Sequence, residues 1–266
     1  MPTLTVLGAS AAHPVMGEAC SGYLIDWDGF RLVLDLGYGT FPRLLSHVPD
    51  ADIDAVVITH EHPDHCIDVH GLFRFRHYTQ PRMSKLPLYC PVGAVDRLNT
   101  LEPGIDMRSA FDIYPLPGRY DVGPFELSSV ALRHFVPNYG VRLETSTAAV
   151  AFTGDTGPHP ALADLGHNAD LYIVDATDRP GELENTDRNL LTAAEAGIWA
   201  DRAGAKRLLL THFWPGNDRS SAASAARKHF GGDVLTAEQD LRIALTPPKD
   251  DVKDRRRATS RGHLAD

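Results

Sequence analysis

At 266 residues, with 43% hydrophobic and 23% charged side chains, the chain has the make-up of a globular protein with a sizeable core, one large domain or two small ones. A formal net charge of −9 argues against a surface built to grip long nucleic acid through its phosphates. No run approaches the roughly 18 apolar residues that span a bilayer, and Met1-Pro2-Thr3-Leu4 begins no basic-then-apolar secretory signal, so no membrane partner and a cytoplasmic location are expected.

In chain order, Thr3 to Leu7 reads as a first strand, followed by a small-residue loop in which His13 is an ordinary loop residue. Residues 22–26 and 31–35 form a hairpin across Asp28-Gly29, a favoured tight-turn pair. Cys20, Cys66 and Cys90 make no C-x-x-C pair and are expected to be reduced thiols, with Cys66 a small packing residue. Residues 40–47 suggest a short helix, and Asp54 to Thr59 a strand that delivers the chain to His60.

There the apolar run stops at His60-Glu61-His62-Pro63-Asp64-His65, in the pattern H-x-H-x-D-H. Neutral imidazole and carboxylate suit a divalent ion such as zinc, and a catalytic zinc needs about three protein ligands plus an open position. In an extended turn His60 and His62 point the same way while Asp64 and His65 reach a second position, so the spacing suggests two adjacent ions whose remaining ligands lie elsewhere. A chain with 13 histidines can cluster some by chance, but here a strand ends where the ligands begin, which is the context the motif requires.

Further on, residues 67–77 have helical length, with His70 and His77 as ordinary helix positions, and 86–90 read as a strand. Pro91 is placed early in a helix over 92–101. Residues 102–124, rich in Pro and Gly, give no clear element. Strands are expected at 126–133 and 148–153, and the continuous apolar runs at 171–175 and 207–211 fit strands covered on both faces. Thr192 to Ala203 reads as a helix with Thr192 as N-cap and Gly204 at its end, and Arg219 to Phe230 as another. Both Val56–His60 and Leu208–His212 are apolar strands ending in Thr-His, an internal echo. From Pro247 on, charge without periodicity marks residues 249–266 as a disordered tail behind a domain of residues 1–248.

With His134 in Arg133-His134-Phe135-Val136-Pro137, Asp155 in Thr153-Gly154-Asp155-Thr156-Gly157, and His212 in Leu210-Thr211-His212-Phe213, the whole set resembles the metallo-β-lactamase-fold hydrolases over roughly residues 3–245. The resemblance implies an α/β fold, an αββα sandwich of two mixed sheets flanked by helices, with metals at the shared sheet edge. It implies one ion on His60, His62 and His134, a second on Asp64, His65 and His212, and Asp155 bridging both. Such ions lie about 3.5–4 Å apart and share a hydroxide that acts as nucleophile. Asp64 is then the catalytic residue that orients the hydroxide and handles its proton. Asp35 is a candidate partner that orients a metal-binding histidine, or else a cap for the next segment, and the backbone near Thr156 a candidate donor to substrate. Zinc is the expected ion, although manganese and iron accept the same ligands.

Within that superfamily the segments around His134, Asp155 and His212 are most similar to the ribonuclease Z and cyclic-nucleotide phosphodiesterase branch. The resemblance therefore implies a phosphodiesterase, and a small anionic phosphodiester such as a cyclic nucleotide as substrate. Only 20 residues separate His134 from Asp155, too few for the long arm that holds transfer RNA in ribonuclease Z. Relatives also often carry an accessory His where this chain reads Arg188-Asn189-Leu190-Leu191-Thr192. That departure leaves a lactone or thioester hydrolase as the alternative, and a catalytically silent metal-binding scaffold as a second. The family often dimerises, so a homodimer is expected.

Overall fold

The computed structural model describes residues 1–80, 84–178 and 188–245. The expected boundary at residue 248 and the tail over 249–266 lie outside these residues. The first half of the chain runs β1 (Thr3–Gly8), β2 (Gly22–Trp27), β3 (Phe30–Leu36), α1 (Thr40–His47), β4 (Ala55–Val57), α2 (Pro63–Cys66), α3 (Asp68–Thr79), β5 (Leu86–Pro91), α4 (Ala94–Asn99) and β6 (Phe111–Leu116). The second half runs β7 (Arg119–Val122), β8 (Phe125–Leu132), β9 (Asn138–Glu144), β10 (Ala149–Phe152), α5 (Ala161–Leu165), β11 (Leu171–Asp175), α6 (Ala193–Ala203), β12 (Arg207–Thr211), α7 (Arg219–Ala226), β13 (Asp233–Thr236) and β14 (Arg242–Ala244).

Two seven-stranded sheets result, ordered β14-β1-β2-β3-β4-β5-β6 and β13-β12-β11-β10-β9-β8-β7. Each is antiparallel through its hairpin strands and parallel from β3 to β6 or from β10 to β13. This is the αββα sandwich of two similar halves. The Thr-His echo is not the repeat itself, because by position β4 corresponds to β11 and β12 to β5.

Strand alternation explains the continuous apolar runs. Leu32, Leu34, Val57, Ile173 and Leu209 face the layer between the sheets. Val33 and Val56 face α1 and α3 on one side, while Leu208 and Leu210 face α6 and α7 on the other. Helix α6 starts as its residues dictate: Thr192 Oγ1 accepts from Glu195 N while Glu195 accepts from the Thr192 amide, and Gly204 closes the helix at φ 65°.

Four expectations need correction. Pro91 is the last residue of β5, and α4 begins only after Gly93 in a left-handed conformation. Helix α7 ends at Ala226, with Arg227 as its cap, rather than running to Phe230. The stretch 102–124 carries a short 3-10 turn at Met107–Ser109 and the edge strands β6 and β7, whose half-exposed faces give weak alternation. Strand β9, five residues after β8, was hidden behind the segment around His134.

Candidate metal centre

Strands β3 and β4 run parallel, which brings Asp35 beside the chain that leaves β4. Asp35 Oδ1 accepts from Thr59 N at 2.8 Å, holding the last residue before the histidines. Pro63 then opens α2, and the amides of His65 and Cys66 return to His62 O, so the chain coils tightly enough for His62, Asp64 and His65 to crowd around His60. His134 follows β8, Asp155 follows β10 and His212 follows β12 directly. All seven residues meet at the same end of the two sheets.

They form two groups that share Asp155. In the first, His62 Nδ1 lies 3.2 Å from His60 Nε2 and 3.0 Å from His134 Nε2, and Asp155 Oδ2 stands 3.8 Å from His60 and 3.7 Å from His134. In the second, His65 Nε2 and His212 Nε2 are 3.1 Å apart, with Asp64 Oδ2 3.2 Å from His212 and 3.7 Å from His65. Asp155 Oδ1 lies 3.2 Å from both His65 Nε2 and His212 Nδ1. Thus each carboxylate oxygen of Asp155 addresses a different group.

The residues fit a divalent metal. Ligands about 2.0–2.2 Å from a tetrahedral zinc sit about 3.3 Å from one another, close to the separations found here. The far nitrogens settle which lone pairs face inward. His60 Nδ1 is 3.0 Å from Thr59 Oγ1, His65 Nδ1 donates to Asp35 Oδ2 at 2.7 Å, His134 Nδ1 donates to Asn189 O at 3.0 Å, and His212 Nδ1 lies 2.7 Å from Thr177 Oγ1. The imidazoles of His60, His65 and His134 therefore turn Nε2 toward the cluster, as metal-binding histidines with a hydrogen-bonded second nitrogen do, while His212 presents Nε2 to His65 and Asp64 and Nδ1 to Asp155 as well as Thr177. Asp155 Oδ1, buried and close to two imidazoles, is aligned with neither as a hydrogen bond, which leaves a carboxylate oxygen in want of a cation.

Electrostatics divide the histidines. Burial pushes His60 well below its ordinary value, and burial followed by the His134 charge lowers His62, so both are neutral and ready to ligate. For His65 burial acts the same way, but Asp155 and then Asp35 outweigh it and raise the group well above its ordinary value. For His212 burial is again opposed, by Asp155 first, and the result is a rise to about 10. Burial would raise Asp155, yet the charges of His212 and His65 hold it well below the carboxylate range, and Asp64 is lowered in the same way by His65 and His212.

Of the expected site residues, Asp35 touches His65 and Thr59, whereas Thr156 is corrected. Its amide donates to Asp175 Oδ2 at 3.2 Å and the Gly157 amide to Arg133 O at 2.9 Å, so neither is available to a substrate. Buttresses that the sequence did not reveal are Asp175, Thr177, Asn189 and Ala12, whose amide donates to Asp64 Oδ2 at 2.8 Å. Asp175 had a signal: like Asp35 it ends an apolar strand. Asn189 and Ala12 act through backbone atoms, for which residue type carries no signal. His13, His70 and His77 belong to neither group, and Cys66 is a buried thiol whose pKa burial pushes up.

A model of the β-lactamase superfamily domain matches residues 30–213. Ribonuclease Z of Kineococcus radiotolerans is 30% identical over 302 residues, covering 92% of this chain and 96% of that protein; the aligned stretch exceeds the length of this chain, so the relative carries insertions absent here. The structure of YhfI, a metallo-β-lactamase-fold protein of Bacillus subtilis, superposes with a TM-score of 0.82 at 26% identity, over 91% of this chain and 98% of that one. The short form of human tRNase Z shares the fold, with a TM-score of 0.75 at 22% identity over 92% of this chain and 100% of its own. With its seven convergent His and Asp side chains, the chain belongs to the metallo-β-lactamase-fold metallo-hydrolase superfamily, in its ribonuclease Z-like branch.

Proposed function

We propose that the protein is a dinuclear metal-dependent hydrolase of small phosphodiesters, with a cyclic nucleotide as the model substrate. The observation that carries the dinuclear reading is Asp155, whose two oxygens face two separate ligand groups. His60, His62 and His134 would hold one ion, and Asp64, His65 and His212 the other, with Asp155 between them. When bound, two zinc ions would supply Lewis acidity that lowers the pKa of water and stabilises charge on substrate oxygens.

The chain's own residues set the conditions for that chemistry. His60, His65, Asp155 and His212 are buried, so the reacting atoms meet few competing waters and electrostatic interactions are strong. Asp64 has Oδ2 fixed by the Ala12 amide, which aims the carboxylate to accept and pass on a proton. Arg188 pairs with Asp178 and Glu195 and so does not supply a proton to the leaving group.

Kinship with a ribonuclease Z favours phosphodiesters, and the shorter chain favours small ones. One observation favours a competing reading: Asn189 stands in the segment where an accessory His was sought, and its carbonyl holds His134. A lactone or thioester, with its better leaving group, needs no acid there.

The test is a set of initial rates on metal-quantified protein with bis-p-nitrophenyl phosphate and cyclic AMP against a lactone and a thioester. Turnover of the phosphodiesters, lost in Asp64→Ala and His65→Ala, is expected. Turnover of carbonyl substrates alone would overturn the phosphodiester reading, and no turnover with full metal content would leave a binding scaffold.

A further inference from the structure

Next along the chain from His212, two tight turns flank one cavity. Ser10 pairs with Phe213, and the Ala11 amide donates to Phe213 O at 2.9 Å, so the segment after β1 lies against the segment after β12. Just beyond, Val15 and Glu18 exchange both backbone hydrogen bonds at 3.0 Å around Gly17, whose φ is 83°. Opposite them the Asn217 amide donates to Trp214 O at 2.9 Å, with Pro215 and then Gly216, also at φ 83°, in the two middle positions, the arrangement of a type II turn. Pro fixes one dihedral and Gly accepts the other without strain, so both walls are preorganised and a ligand has little left to order.

Between the turns lies a cavity of about 230 Å³ lined by Val15, Glu18, Phe213, Trp214 and Arg219, among others. Trp214 is 37% exposed. The Arg219 guanidinium lies 5.2 Å over the Phe213 ring and is tied to Glu18 Oε1, which fixes its plane. The Arg219 side chain is 28% exposed. An aromatic side chain beside a guanidinium held in a fixed plane suits a planar ring bearing a nitrogen or carbonyl acceptor, whereas an alkyl chain would offer the guanidinium no acceptor. Trp214 follows His212 by two residues, at most about 7 Å between Cα atoms, so the cavity adjoins the segment that carries this ligand.

On the phosphodiesterase reading above, we propose that this cavity seats the nucleobase of a nucleotide substrate, stacked on Trp214 and accepting from the Arg219 guanidinium, and thereby selects which phosphodiesters the site takes.

Calorimetry on zinc-loaded protein tests it, with adenosine monophosphate and ribose phosphate as ligands of wild type, Trp214→Ala and Trp214→Phe. Trp214 lies at the surface, and the Phe variant keeps a ring where the Ala variant removes it. Wild type is expected to bind the adenosine compound more tightly. In W214A the ratio of the two dissociation constants is expected to fall roughly tenfold, the scale of one base stacking on one aromatic side chain, and W214F to keep most of it. A wild-type ratio near one, or a ratio that W214A leaves unchanged, overturns the proposal. If the ratio responds as expected but no phosphodiester is hydrolysed, the base pocket stands and the reading of the reaction fails. Turnover of phosphodiesters with an unresponsive ratio sinks the pocket alone.

Discussion

Asp175→Asn isolates the buttress behind His212. Asp175 is fully buried; its Oδ2 accepts from Thr156 N at 3.2 Å and Leu191 N at 3.1 Å, while Oδ1 accepts from Thr177 N at 3.0 Å and from the Thr177 hydroxyl. Asparagine keeps the shape but owns a single acceptor oxygen, so whichever way its amide turns, an NH₂ group meets two donors. Two hydrogen bonds to a charged acceptor disappear, at about 1.5–3 kcal/mol each, and relaxation recovers part, leaving a loss of about 3 kcal/mol. The damage also reaches the metals. With NH₂ on the Thr177 side, that hydroxyl must accept from the amide and turn its hydrogen away, toward His212 O at 2.8 Å, which re-aims the lone pair it presents to His212 Nδ1, 2.7 Å away. Zinc affinity is expected to fall about 10- to 100-fold, the usual cost of losing a partner behind a metal ligand. Urea unfolding of the chelated protein reads the first number and chelator competition reads the second. Unfolding at the wild-type urea concentration together with wild-type zinc affinity would refute the argument.

Gly37→Ala is expected to damage the site from outside it, because the new methyl would stand 1.8 Å from Asp64 O and 2.4 Å from Asp64 C, backbone atoms that cannot step aside. Zinc content should drop below that of wild type and stability by about 1–3 kcal/mol, as for an overpacked core. Gly231→Ala, whose Cβ meets nothing within 4 Å among the described residues, should change neither; equal zinc content in both variants, measured by atomic absorption, would contradict this. Stripping metal with a chelator should lower the melting temperature by roughly 5–10 °C, since ligand at about a hundred times its dissociation constant adds about 2.7 kcal/mol and each kcal/mol moves a domain of this size by about 2–4 °C. Zinc binding at pH 7 should release protons: His65 and His212 are raised in the metal-free site, to about 10 for His212, and zinc needs them neutral. Affinity should therefore climb as pH rises from 7 toward 10. Calorimetry in buffers of different ionisation heat counts the protons, and a count of zero would rule the charged state out.

What could be read in advance follows from how tightly physics restricts each residue. Metal ligation admits few side chains, so His60, His62, Asp64 and His65 stood out, and strands covered on both faces cannot hide, so Leu171–Asp175 and Arg207–Thr211 were plain. Helix α6 announced both its ends through Thr192 and Gly204. Half-exposed edges announce nothing, hence β6 and β7 went unread. Nor can local pattern show that β14 pairs with β1, because Thr3 and Ala244 stand at opposite ends of the described chain and nothing near either names the other. The buttresses failed for the same reason: His134 is held by the Asn189 carbonyl, 55 residues on, and the backbone of any residue type would serve there.

The deeper gap lies in how the ligands are aimed. Three residues at the site end of the sheets adopt the left-handed conformation: Asp35 at φ 54°, Gly154 at φ 57° and His212 at φ 59°. Each sits where a strand stops, and the turn swings the chain across the sheet edge toward the cluster. For Gly154 the requirement is visible in the residue, because a Cβ there would lie 2.5 Å from Asn138 Oδ1 and 2.8 Å from Thr59 Oγ1. For Asp35 and His212 it is not, since each must keep its side chain and accept strain of about 1–3 kcal/mol. What overdetermines them is the site itself. Asp35 is locked between Thr59 and His65, and His212 between Thr177 and Asp64, so the contacts that build the metal centre also hold its strained backbone in place. Residue type reveals strain only where glycine relieves it; elsewhere the strain and the function occupy the same residue, and the sequence shows the function alone.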